Sequence, residues 1–197
     1  MTTQVHEVML QAPTHDLRAM HDAVYRALLK PGQERDFSFA PVAAGLVVAR
    51  GGTVANTKGT AIRTPATGET ARFMLIAAPR HKQGRLPRRA GNSEGALGLD
   101  LAPVMAKRRC AYQQGEEGDS LRIEWLKRRA SENGFEVMQC LVAADKVEVR
   151  GTGTIERCEF HGVLRVTDGE IFSTALLKGI GPARTYGFGL IRLLDPQ

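Results

Sequence analysis

Apolar positions along the chain recur in short periodic groups separated by glycine, proline and charged residues. Gln4–Leu10, with Val5, Val8 and Leu10, predicts a short strand. Pro13-Thr14-His15-Asp16 is a helix-start signal, with Thr14 or Asp16 as N-cap. Leu17, Met20, Val24, Ala27 and Leu28 then recur at helical spacing up to Lys30-Pro31-Gly32. Asp36–Phe39 and Gly45–Ala49 predict a hairpin, Gly51–Gly68 is weakly patterned, and Ala71–Ala77 is an apolar run that reads as a buried strand. Residues 80–103 are rich in glycine, arginine and proline and carry little periodicity. Beyond them the pattern predicts a strand near Lys107–Tyr112, a helix at Asp119–Asn133 with Gly134 just past its end, and strands at Phe135–Val142 and Glu159–Val166. It also predicts a hairpin at Lys146–Ile155, a short helix at Asp168–Lys178 capped by Asp168, and a last strand at Phe188–Leu194.

This order predicts an α+β protein of two tandem ferredoxin-like βαββαβ units, each an antiparallel sheet with its helices on one face. The expected division is an N-terminal unit at 1–79, a basic connecting segment at 80–103 and a C-terminal unit at 104–197. A length of 197 residues suits two small domains. At 43% hydrophobic residues the chain has enough apolar surface for a core and too much for a disordered protein. No run of about 18 apolar residues suggests a transmembrane helix. The first seven residues lack the basic and apolar regions of a signal peptide, so a cytoplasmic protein with no membrane partner is expected. Cys110, Cys140 and Cys158 are odd in number and far apart, which favours reduced thiols over a disulfide framework or a zinc site.

The net charge of +6 is unevenly distributed along the chain. No acidic residue lies between Glu69 and Glu94, and that window holds Arg72, Arg80, Lys82, Arg85, Arg88 and Arg89. Lys107-Arg108-Arg109 and Lys127-Arg128-Arg129 follow. Such a basic stretch can track a phosphate backbone and release its counterions, or can simply be a solvated loop. With 6% aromatic residues, base stacking along a single strand is poorly signalled, and a structured RNA read by shape fits better.

His21 lies at the edge of the apolar stripe of the first helix, with Arg18 and Tyr25 on the same flank. An imidazole between a guanidinium and a phenol is suited to proton transfer beside an anion, because its pKa lies near 7. The plainer alternative is a boundary histidine bonded to a backbone carbonyl. No H-x-x-x-H or H-E-x-x-H spacing occurs, so neither a metal nor another cofactor is expected. G-x-S-x-G, the Walker A loop and G-x-G-x-x-G are absent too. The most specific stretch runs from Lys178 to Ile191 as Lys-Gly-Ile-Gly-Pro-Ala-Arg-Thr-Tyr-Gly-Phe-Gly-Leu-Ile. Its glycines suit either a tight helix-to-strand turn or a backbone approach to phosphate, with Gly179, Gly181, Lys178 and Arg184 as the holding groups.

This segment resembles the glycine-rich C-terminal motif of RAMP-type CRISPR RNA-processing proteins. The whole chain resembles the CasE-type endoribonucleases of type I-E CRISPR systems. Asp16–His21 is similar to that family's early helix with its histidine, and Arg35–Phe39 to its second strand. Phe73–Pro79 is similar to its Phe-x-Leu-x-Ala-x-Pro strand, Glu124-Trp125-Leu126 to its central helix, and Phe160–Leu164 to the strand leading into the glycine-rich end. The resemblance implies metal-independent cleavage of the repeat hairpin in CRISPR precursor RNA by 2′-OH attack, leaving a 2′,3′-cyclic phosphate and a 5′-OH. It implies His21 in proton transfer, Arg18 and Arg26 stabilising charge, and Tyr25 as an available phenol. Relatives often carry tyrosine where this chain has Arg18. RNA contacts are expected from Arg80, Lys82, Arg85, Arg88, Arg89, Arg150, Lys178, Gly179, Gly181 and Arg184. The implied partners are the precursor RNA, the mature guide RNA and other Cascade subunits. Two rivals stay open: a non-catalytic RNA-binding subunit of an effector complex, and a basic scaffold protein.

Overall fold

In a computed structural model, residues 5–30, 32–51, 59–79, 116–149 and 153–194 are described. Strand β1 (Val5–Gln11) leads into helix α1 (Leu17–Leu28). Asp16 caps that helix: its carboxylate accepts from the Arg18 and Ala19 amides at 2.8 and 3.0 Å. Met20, Val24 and Leu28 are the buried positions of α1. Then come β2 (Phe37–Ala43), β3 (Leu46–Gly51) and a three-residue β4 (Thr60–Ile62). These pair antiparallel in the order β2-β3-β1-β4.

The second sheet contains β5 (Thr70–Ala77), β6 (Phe135–Val149), β7 (Gly153–Val166) and β8 (Ile191–Leu194) in the order β6-β7-β5-β8. Helix α2 (Glu116–Glu132) precedes β6, and α3 (Gly169–Lys178), capped by the Asp168 carboxylate, follows β7. Phe73, Leu75 and Ala77 of β5 share one face and pack with Trp125 and Leu126 of α2 and with Phe172 and Leu176 of α3. Numbered within its own unit, each sheet has the order 2-3-1-4, the arrangement of a ferredoxin-like βαββαβ fold.

Four readings of the sequence change. The strand at 70–77, expected to close the unit at 1–79, is the first strand of the second sheet, between β7 and β8. The short β4, inside the stretch read as weakly patterned, takes the closing position in the first sheet. The separate strands and hairpin expected between 135 and 166 are two long strands in one register, broken only by a bulge at Val137/Gln139. The last strand begins at Ile191, three residues later than expected. The basic segment 80–103 and the strand expected near Lys107–Tyr112 lie outside the described residues.

The halves meet along β2 and β3. Residues 37–40 are buried on both faces of the sheet. Phe37 and Phe39 face α1, while the Ser38 hydroxyl donates to the Leu177 carbonyl at 2.7 Å and Ala40 packs with Val48 and Leu190. Arg50, 3% exposed, donates to Glu7 in its own sheet and to the Ile191 carbonyl in the other. Among the described residues no helix is long and apolar enough to cross a membrane.

Candidate active site

His21 projects from α1 toward this seam with 19% of its side chain exposed. Its ring lies 4.0 Å, centroid to centroid, from Tyr25, one turn along the helix, at an interplanar angle of 30°. The Tyr186 ring lies 6.1 Å away, carried by a single 3-10 turn (Arg184–Tyr186) in the glycine-rich segment. The imidazole therefore has two phenol rings beside it, one from each half of the chain.

Tyr25 is fixed from behind. Its ring meets Phe37 and Phe39 edge-on at 5.4 and 6.4 Å. The Arg35 guanidinium carbon lies 5.6 Å from the Tyr25 centroid and 5.5 Å from that of Phe37, within cation–π range. Arg35 also donates to the carbonyls of Phe37 (2.8 Å) and Arg184 (3.0 Å). The second bond ties the 3-10 turn to the first half. Burial lowers the pKa of the Arg35 guanidinium, and the neighbouring Tyr25 opposes that shift.

The imidazole Nδ1 lies 2.8 Å from the carboxylate of Asp22. Arg18 approaches the same oxygen at 3.4 Å from one turn earlier. The hydrogen bond with His21 is the main reason the Asp22 carboxyl lies below its ordinary range; partial burial works against it, and the Arg18 charge helps.

The expected residues are thus only partly gathered. Arg18, His21 and Tyr25 share one flank of α1. Arg26 is exposed on the last turn and, at about 100° per residue, sits roughly 140° round the helix from His21. Lys178 is exposed at the end of α3, and its carbonyl accepts from Arg184 at 3.1 Å. The glycine-rich segment uses its amides internally: Gly179 donates to Ala175, Ile180 to Gly189, Gly187 to Arg184 and Gly189 to Ile76. Gly181 lies so close to Trp125 that a Cβ there would stand 3.0 Å from the indole. These glycines build a tight turn that carries Tyr186 and Arg184 to α1, and the bonded amides are not open to a phosphate. Arg80, Lys82, Arg85, Arg88, Arg89 and Arg150 lie outside the described residues.

Sequence reasoning missed Arg35, Tyr186 and Asp22 as site residues. Arg35 precedes the alternating Phe37 and Phe39, and a cation leading into an aromatic strand face was the available signal. Among the described residues, no group of three or more His, Cys, Asp or Glu side chains is gathered as a set of metal ligands.

A family model described as CRISPR associated protein matches residues 3–194. No curated protein matches the chain in sequence. Among solved structures, the chain is similar to Cse3 of Thermus thermophilus bound to an RNA representing a pre-cleavage complex. That likeness has a TM-score of 0.62 and 20% identity, covering 98% of this chain and 100% of that one. It is similar to the CRISPR-associated protein Cas6e of Escherichia coli str. K-12, with a TM-score of 0.59, 22% identity, and coverage of 97% and 98%. A chain of a CRISPR RNA-guided surveillance complex aligns with a TM-score of 0.57 at 18% identity, covering 97% and 98%. The fold is thus shared from end to end. With residues 3–194 matched by one family model, the chain belongs to the CRISPR associated protein family.

Proposed function

We propose that this chain is a metal-independent endoribonuclease that cuts the repeat hairpin of CRISPR precursor RNA in the cytoplasm and passes the mature guide RNA to a Cascade complex. The observation that carries this reading is the His21 imidazole beside the Tyr25 and Tyr186 rings, with the Arg18 guanidinium at Asp22 and that of Arg35 over Tyr25. Similar folds solved as CRISPR endoribonuclease Cse3 bound to 19 nt RNA and within a CRISPR RNA-guided surveillance complex support the substrate and the partner.

The ribose 2′-OH beside the scissile phosphate loses its proton and attacks phosphorus. The P–O5′ bond breaks, and the 5′-oxygen takes up a proton. The products are a 2′,3′-cyclic phosphate and a 5′-OH. His21 transfers a proton, and Arg18 stabilises the charge that builds on the phosphorane oxygens. Arg26, Lys178, Arg184, Arg150 and the basic segment with Arg80, Lys82, Arg85, Arg88 and Arg89 hold the RNA backbone. Gly179 and Gly181 contribute by shaping the turn. Arg72 and Arg192, which alternate with the buried positions of β5 and β8, add charge on the face of the second sheet away from its helices.

The test is cleavage of a hairpin RNA. His21→Ala is expected to abolish cutting while RNA affinity stays within a few-fold. Deoxyribose at the cut site stops the reaction, and EDTA leaves it unchanged. Full cleavage by His21→Ala overturns the assignment, and cutting of the deoxy substrate identifies water as the nucleophile.

A further inference from the structure

Asp22 follows His21 directly on α1, and its carboxylate has two cationic or donor neighbours on that helix: His21 Nδ1 at 2.8 Å and Arg18 Nε at 3.4 Å, both on the same oxygen. An ionised carboxylate only accepts hydrogen bonds, so the nitrogen facing it must carry the proton. That leaves the lone pair on Nε2, at the far corner of the ring. We infer that Asp22 is a positioning residue that holds His21 in the Nδ1–H tautomer and so presents Nε2 as the general base toward the 2′-OH.

This inference rests on the endoribonuclease reading and assigns the direction of proton transfer within it. The 2′-OH proton moves to Nε2, the O2′–P bond forms, and the P–O5′ bond breaks with its electron pair on O5′. The 5′-oxygen takes a proton from water, and the imidazolium returns its proton to the resulting hydroxide, so no proton is gained or lost overall. The imidazolium formed on the way faces a carboxylate already in contact with it. Arg18 gains a second task, since its guanidinium keeps the Asp22 carboxylate ionised and turned toward α1. The other titratable or charged groups around the ring are Tyr25 on α1, Tyr186 and Arg184 on the 3-10 turn, and Arg35 before β2.

The tautomer is directly measurable. Protein labelled with 15N-histidine gives two-bond 1H–15N correlations that distinguish a protonated from an unprotonated ring nitrogen. The His21 signals are assigned by their loss in His21→Ala. In its neutral form, His21 of the full-length wild type is expected to show Nδ1–H with Nε2 unprotonated. Asp22→Ala moves the population toward Nε2–H and slows single-turnover cleavage by about tenfold or more, with RNA affinity unchanged. Asp22→Asn keeps an acceptor without the charge and falls between the two. Asp22 is half-exposed on a helix, so both variants keep the fold, which circular dichroism verifies. A wild-type Nε2–H tautomer, or Asp22→Ala with the wild-type rate, overturns the inference. If His21→Ala is inactive while Asp22→Ala is fully active, only the role of Asp22 fails. If His21→Ala itself cleaves at full rate, the nuclease reading fails.

Discussion

Gly189 is the tightest point of the turn that brings Tyr186 to His21, and Gly189→Ala measures how much that turn matters. Its backbone has φ +91°, and a Cβ there would stand 2.3 Å from the Ile180 carbonyl oxygen. That oxygen belongs to backbone, which a side-chain rotation cannot relieve. The Gly189 carbonyl accepts from Ile180 at 2.8 Å, and its amide donates to Ile76, so both bonds strain as the chain shifts. The positive φ alone costs about 1–2 kcal/mol for alanine. Overpacking adds about 1–3 kcal/mol, and weakening the two bonds adds roughly 1 kcal/mol more. The total is about 3–6 kcal/mol, a large part of the ~5–15 kcal/mol that holds a typical domain. Gly45→Ala is the control: it has φ +73° with nothing within 4 Å of the added carbon, and so carries only the backbone cost of about 1–2 kcal/mol. Urea unfolding followed by tryptophan fluorescence reports on Trp125, the chain's single tryptophan. Gly189→Ala is expected to lower the midpoint well below that of Gly45→Ala, and to slow hairpin cleavage where Gly45→Ala does not. If the two variants unfold within about 1 kcal/mol of each other at equal slope, the close approach of the strand and turn is wrong.

Two further outcomes are expected. Arg50→Ala leaves Glu7 and the Ile191 carbonyl without their shared donor and is expected to destabilise by about 2–3 kcal/mol in urea, below the range for a fully buried pair because Glu7 is 29% exposed; the double variant Glu7→Leu/Arg50→Met recovers most of that loss, and a wild-type midpoint for Arg50→Ala refutes the latch. Burial pushes the Cys158 thiol up to about 12, with Glu156 adding to the shift, so peptide mass spectrometry should find it alkylated by iodoacetamide at pH 8.5 on the order of 100-fold more slowly in native than in urea-unfolded protein, and equal rates refute it. Because the folded value lies above the unfolded one, the thiol's contribution to stability is complete below pH 9.0 and is lost as pH rises toward 12.

What could be read from the sequence divides by distance along the chain. Helix α1 was legible because its cap at Asp16 and its stripe of Leu17, Met20, Val24 and Leu28 are local, and local spacing also set Arg18 and Tyr25 beside His21. The helix after Asp168 was legible for the same reason. Strand β5 was recognised as a strand and given the wrong sheet. Alternation encodes which side chains share a face, but the partner of Thr70–Ala77 is Cys158–Arg165, more than 80 positions away. Strand β4 has only three residues, two of them exposed, so it carries no period to detect. Arg35 and Arg184 are 149 positions apart, and no spacing rule joins them. Asp22 adjoins His21 in sequence, yet successive helix positions point about 100° apart, and only the side-chain torsions bring Nδ1 and the carboxylate together.

The same separation explains why the glycine-rich segment was specific but hard to interpret. Read alone, its glycines suit phosphate as well as a turn. In the fold they are consumed by close packing: Gly181 on Trp125, Gly189 on the Ile180 carbonyl, and Gly187 against Met20, Phe39 and Pro41. Met20 and Phe39 are core residues of the first half, and Trp125 is a core residue of the second. A segment wedged between two cores cannot shift without disturbing both, so Tyr186 is held by the packing of the whole molecule. The two ring neighbours of His21 are therefore set by different kinds of information. One is a helix period that any reader of the sequence can count, and the other is a long-range fit that exists only once both sheets have formed.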